Sequence, residues 1–276
     1  MSKRFLFDFD RISDWLPRVD AVLLPLMPPN AVTALQAAAP EYVEDARDVA
    51  VELGGRESIG NALLGWLGLV DVAAYHGTRA NADDEASINR SGLLPLVAND
   101  RKARLVRALS GHAGWASASQ RLDDVIDMYG PRSRHGKREG QAHLTLSREA
   151  LVDGFNHYLQ LGAEIDGHMA RELLGADGLD LLRRDGRAMV FRFRVSGEAA
   201  LRVTHPFFTP AELMARGDLP NIIGEVVCAW AYKKSYPEKP GTRMHVDCGL
   251  VFEAAVPPDW IIGSEVIDEG LLDDAT

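Results

Sequence analysis

The spacing of apolar and polar positions divides this chain near residue 70. Upstream the texture is helical. Pro28 and Pro29 fix φ and lack an N–H, so no helix extends through them, and Asn30 caps one over 31–36. A second helix is predicted over 41–53, stopped by Gly54-Gly55. A third starts near Glu57 and gathers Ile59, Leu63, Leu64 and Leu67 on one face. Beyond Val70, short strand-like runs alternate with helical ones. Residues 72–75 read as a strand and 84–91 as a helix ending at Gly92. Residues 142–146 alternate as a strand does, and Ser147 then caps a helix with Glu149 and Ala150 in its first turn. Helices are predicted over 155–161 and 165–174, the latter ended by Gly175. Strands are predicted over 188–195, 221–232 and 251–256, with Pro257-Pro258 closing the last. Without regular βαβ alternation this order predicts an α+β fold, with 1–70 as an N-terminal helical segment and 71–276 as the main domain.

Composition narrows the function classes. At 276 residues and 46% hydrophobic, the chain is long enough to bury a substantial core. Its formal net charge of -10 repels phosphate backbones, which disfavours general nucleic-acid binding unless a local basic patch reverses the field. The two cysteines, Cys228 and Cys248, are too few for a disulfide scaffold and lack metal-site spacing, so reduced thiols are expected. Phe5-Leu6-Phe7, interrupted by Asp8 and Asp10, is too short for a secretory leader. The longest apolar run, near 63–70, is too short to span a bilayer. A cytoplasmic protein with no membrane partner is expected.

The chemistry concentrates in Tyr75-His76-Gly77-Thr78, followed by Ser91-Gly92-Leu93-Leu94-Pro95. A glycine lets a planar ligand approach its backbone N–H and C=O, and a carboxamide requires both partners. An imidazole and a hydroxyl on either side suit a ribose. This stretch resembles the first strand of the ADP-ribosyltransferase fold, the group of poly(ADP-ribose) polymerases and diphtheria-like toxins. The resemblance covers about residues 70–265 and implies a split β-sandwich that cleaves NAD. It implies that His76 contacts a ribose hydroxyl and that Gly77 holds the nicotinamide carboxamide, with Thr78 assisting. It also implies a second strand carrying Ser147, which bonds the carboxamide, and a helix whose Tyr158 stacks on the ring. Tyr129 competes for that role. A carboxylate opening a late strand should stabilise the ribosyl cation; Gly224-Glu225-Val226-Val227 matches this pattern, with Glu164 as the alternative.

The resemblance thus implies an ADP-ribosyltransferase with NAD as its substrate. A protein acceptor is favoured over a nucleic acid, and no metal is needed. An NAD glycohydrolase, an RNA 2′-phosphotransferase on the same fold and an inactive binding module are the alternatives. The 2′-phosphotransferase would demand several arginines in the cleft, where Arg79, Arg132 and Arg134 are the candidates.

Three other patterns fare worse. Gly130 to Lys137 fails as a phosphate loop, because its glycines are one residue too far apart and Arg138 stands where Ser or Thr should bind magnesium. Asp123-Asp124-Val125-Ile126-Asp127 resembles a diphosphate–magnesium motif but lacks a second acidic cluster. Glu164, His168 and Glu172 share a helix face and read as a solvated polar surface. The basic run through Arg132, Arg134, His135, Lys137 and Arg138 reads as a loop, and 265–274 as a fraying acidic end.

Overall fold

The computed structural model describes residues 4–130, 139–239 and 248–272. The basic run of Arg132, Arg134, His135, Lys137 and Arg138 lies outside them. In chain order the elements open with β1 (Leu6–Phe7), α1 (Ile12–Leu23), α2 (Ala31–Ala38), α3 (Val43–Gly54) and α4 (Arg56–Gly68). Next come β2 (Asp71–Ala80), α5 (Ala82–Ser91), α6 (Lys102–Leu109), α7 (Trp115–Ala118) and α8 (Leu122–Asp127). Then follow β3 (Ala142–Thr145), α9 (Arg148–Asp153), α10 (His157–Leu161), α11 (Glu164–Arg184) and β4 (Arg187–Ser196). The last are α12 (Gly197–Val203), α13 (Pro210–Ala215), α14 (Asn221–Ser235), β5 (Gly249–Phe252) and β6 (Ile261–Val266). The fold mixes helices with one sheet of order β5-β3-β2-β4-β6, to which β1 adds by pairing with β2 in parallel. It is α+β, as the element order predicts.

The chain divides into two compact units. One comprises Met1–Ala74, Thr145–Ser147 and Arg194–Val251; the other comprises Tyr75–Leu144, Arg148–Phe193 and Phe252–Thr276. The N-terminal helices therefore share a unit with 194–251 rather than forming a segment by themselves.

In the first unit, α1 exists despite Pro17 because Trp15, Val19 and Leu23 recur every four residues and are buried. Trp15 and Trp66 both pack edge-on against Phe7 at 5.5 Å, and the Trp15 indole donates to the Phe9 carbonyl at 3.1 Å. The sequence-based strand over 221–232 is a helix. Its Ile, Val, Cys and Trp residues have strand character, but the apolar run is too long for a strand, and α14 is buried almost all round against α2 and α3. Asp20 of α1 anchors it, accepting the Trp230 indole N–H at 2.8 Å and the Lys234 ammonium at 2.7 Å.

In the second unit, α11 packs against α6, α8 and α10 around Leu105, Leu109, Val125, Ile126, Met169 and Leu173. Gly175 breaks α11 with non-helical backbone (φ 63°, ψ -139°), where the sequence places a stop, and a second helical stretch continues from it to Arg184. Gly92 ends α5 at φ 76°, and a Cβ there would lie 1.9 Å from the Val256 carbonyl, so only glycine fits. The acidic end does not fray at 265: Glu265 and Val266 belong to β6, which pairs antiparallel with β4. Leu272 is buried, and its carbonyl accepts from Gln160 at 2.9 Å. Of the strand predicted over 251–256, only 251–252 belong to β5, while Val256 forms an isolated bridge with Leu93.

Asp20→Ala should strip α14 of two partners and strand the Trp230 N–H. The expected loss is about 1–3 kcal/mol in urea denaturation, with Asp20→Asn losing less because it still offers an acceptor.

Candidate functional site

The second unit holds a cleft of about 270 Å³, just below the usual range for small-molecule sites. One wall is β2. Alternation along the strand leaves His76 and Thr78 half-buried while Tyr75, Gly77 and Arg79 are buried. His76, Gly77 and Thr78 all line the cleft. A Cβ on Gly77 would press against Leu159 and Leu151, 3.1 and 3.2 Å away, so close packing against α9 and α10 also favours glycine here.

His76 has a defined tautomer. Its Nδ1 lies 2.9 Å from the His143 carbonyl on β3. A carbonyl only accepts, so Nδ1 carries the proton and Nε2 keeps a lone pair. Desolvation pushes the imidazole pKa down to about 4; the bond to the His143 carbonyl opposes this, and the nearby positive Arg101 adds to it. The ring is therefore a neutral acceptor throughout the physiological range.

The opposite side comes from α10 and α11. Tyr158 of α10 and Glu164, the first residue of α11, both line the cleft. Helix N-termini favour a negative group, which suits Glu164 at this position. Its carboxylate lies 3.7 Å from His168 Nε2. Tyr129, the competing aromatic, is instead packed in the core with Ile165 and Met169 and stacks on His168 at 6.0 Å.

Ser147 and Glu225 belong elsewhere. The Ser147 side chain is fully buried in the first unit, where Oγ donates to Asp10 at 2.6 Å, and it is not among the residues lining the His76 cleft. Glu225 sits on helix α14 and does not open a strand. It lines a separate cavity of about 580 Å³ in the first unit, together with Arg47, Arg56, His205 and Asn221. It also helps to raise the neighbouring Cys228 thiol, which burial in the first place pushes up to about 12. The carboxylate that shares the cleft with His76 is the alternative, Glu164.

Three arginines also line the cleft, two of which the sequence reading missed. Arg79 is buried and spends its guanidinium on the Gly186 carbonyl at 3.0 Å and on Glu269 at 2.9 Å. Arg104 is buried and donates to the Leu161 carbonyl at 3.1 Å. Arg101 and Arg104 both face the wholly buried Asp166 of α11, at 2.6 and 3.4 Å. Burial by itself raises the Asp166 carboxyl, but the two guanidinium charges and the Arg101 hydrogen bonds outweigh it and hold it below the usual carboxylate range. Arg101 and Arg104 carried no sequence signal, because their shared partner is about 60 residues away.

Among the described residues, no group of three His, Cys, Asp or Glu side chains is placed to hold a metal ion. Nor, among them, is any single helix long and apolar enough to cross a membrane.

The depressed His76 pKa makes stability pH-dependent. Between the unfolded value of 6.5 and the folded value of about 4, the unfolded chain binds the extra proton, so stability falls as pH drops through that window. The contribution of His76 is up to about 1.4 kcal/mol per pH unit, measured as the difference in slope between wild type and His76→Gln in urea titrations.

No family model matches this chain, and no curated protein and no solved structure matches it either.

Proposed function

We propose that this protein cleaves the nicotinamide–ribose bond of NAD and transfers ADP-ribose to a macromolecular acceptor, a protein in preference to a nucleic acid. The observation that carries this reading is that His76, Gly77, Thr78, Tyr158 and Glu164 line one cleft. These are the groups that the resemblance implies apart from Ser147, with Glu164 in the place first given to Glu225.

The chemistry follows from the groups. The neutral His76 accepts a hydrogen bond through Nε2, which suits a ribose hydroxyl donor. Tyr158 offers an aromatic face for the nicotinamide ring. Departure of nicotinamide leaves positive charge on the ribose, and Glu164 supplies the carboxylate that stabilises it. The bond from C1′ to the nicotinamide nitrogen breaks, with both electrons leaving on that nitrogen. An acceptor oxygen or nitrogen then bonds to C1′ and gives up its proton. With water as acceptor the same site is an NAD glycohydrolase. The cleft is small, so it accommodates the nicotinamide–ribose end rather than the whole dinucleotide. A 2′-phosphotransferase needs several uncommitted arginines. Arg79 and Arg104 are committed to carbonyls and carboxylates, which favours the ADP-ribosyl reading.

The test is nicotinamide release from NAD, with adenylate-labelled NAD and cell extract to follow transfer. Wild type should release nicotinamide, Glu164→Gln should lose about 10²–10³-fold in kcat, and Glu225→Gln should remain at the wild-type rate. No release by wild type across several acceptors would defeat the reading. A loss confined to Glu225→Gln would return the carboxylate role to α14. Tyr158→Ala should raise KM several-fold, consistent with a ring contact of about 0.5–1.5 kcal/mol, while Tyr158→Phe stays near wild type.

A further inference from the structure

Arg101 differs from the other two cleft arginines in what it has left to give. It closes the short turn Ala98–Arg101 that leads into α6. Asp166 receives it edge-on, with Nε 2.8 Å from Oδ1 and Nη2 2.6 Å from Oδ2. A guanidinium carries five N–H groups, and this edge uses two of them. Among the described residues, the remaining three have no protein acceptor. The Arg101 side chain is 24% exposed, whereas Arg79 and Arg104 are each at 7%.

The rest of the setting matches an oxyanion site. Arg101 lines the same cleft as His76 and Thr78, and its charge reaches the His76 ring, which it helps keep neutral. Asp166 is wholly buried on a packed helix, so the guanidinium plane it grips is fixed in advance. A planar fork held by one edge, with its remaining N–H groups uncommitted, is preorganised for the oxygens of a phosphate. Asp84, Asp100 and Glu164 also line the cleft, and the first two act on the Arg101 charge, so an anion is admitted only where the free guanidinium N–H groups reach it.

We propose that Arg101, positioned by Asp166, is the anion-binding arm of the cleft and receives a phosphate oxygen of the ligand. The identity of that ligand as a pyridine dinucleotide rests on the reading above; the anion subsite itself does not.

Calorimetric titration of the full chain with AMP and with adenosine, which differ only by the phosphate, tests this. Wild type should bind AMP at least about tenfold more tightly than adenosine, as a charge-assisted contact would give. Arg101→Gln should abolish that preference while leaving adenosine affinity unchanged. Asp166→Asn keeps the guanidinium but loosens its grip, so it should reduce the preference without removing it. If Arg101→Gln fails to fold, because Asp166 is left with fewer partners, Arg101→Gln/Asp166→Asn removes both charges and is read instead. Equal binding of AMP and adenosine to wild type, no AMP binding at millimolar concentration, or a preference that survives loss of the guanidinium would each overturn the proposal. The two readings fail separately. AMP binding through Arg101 without nicotinamide release defeats only the cleavage reading. Nicotinamide release with unchanged KM and kcat in Arg101→Gln defeats only the anion subsite.

Discussion

The buried carboxylate of Asp166 is the interaction on which the cleft depends. An ionised group with no solvent exposure is tolerable only when opposite charges and hydrogen bonds surround it. Asp166 meets that condition with Arg101 and Arg104, and so ties the start of α6 to the start of α11. Arg104 extends the tie by donating to the Leu161 carbonyl at the end of α10. Glu164 lies two residues before Asp166 and Tyr158 three before Leu161, so one ionic cluster sets the position of both. Removing one partner from such a cluster costs about 3–5 kcal/mol, because it leaves a buried charge uncompensated.

The same cluster also bears on the β2 wall of the cleft. Desolvation first and the positive Arg101 guanidinium second keep the imidazole neutral, against the bond to the His143 carbonyl, which favours the charged form but fixes Nδ1 as the donor. The cleft therefore presents a hydrogen-bond acceptor on β2, a carboxylate at a helix start and a fixed cation between α6 and α11. These three functions would interfere if mobile. Each is fixed to a different element.

The two units divide the sequence-based expectations unevenly. Part of the fold was legible: α2 to α5, β2 to β4 and the Gly92 turn follow from periodicity, prolines and glycines, which act locally, whereas α1, α6, α7, α12, α13 and β6 carried no prediction. The run in α14 was misread because β-branched and aromatic residues in an unbroken apolar stretch carry no period, and full burial permits either a strand or a helix. That error carried Glu225 with it, since a carboxylate that opens a strand and one that sits on a helix beside Cys228 serve different surroundings. Ser147 is absent from the cleft lining for a different reason. Its hydroxyl donates to Asp10 across 137 positions in the first unit, a contact that no local pattern shows.

What the chain determines by itself is the local part of the site: the order imidazole, glycine, hydroxyl on one strand, and an aromatic followed closely by an acidic helix start. Strand alternation and helix capping act over a few residues, so they can be read from spacing. Which carboxylate and which cation join that strand is decided by tertiary structure. Arg101 meets Asp166 across 65 positions, and His76 meets the His143 carbonyl across 67. No local pattern encodes such pairings, because the penalty for leaving a buried polar or charged group unpaired arises only once the elements have packed.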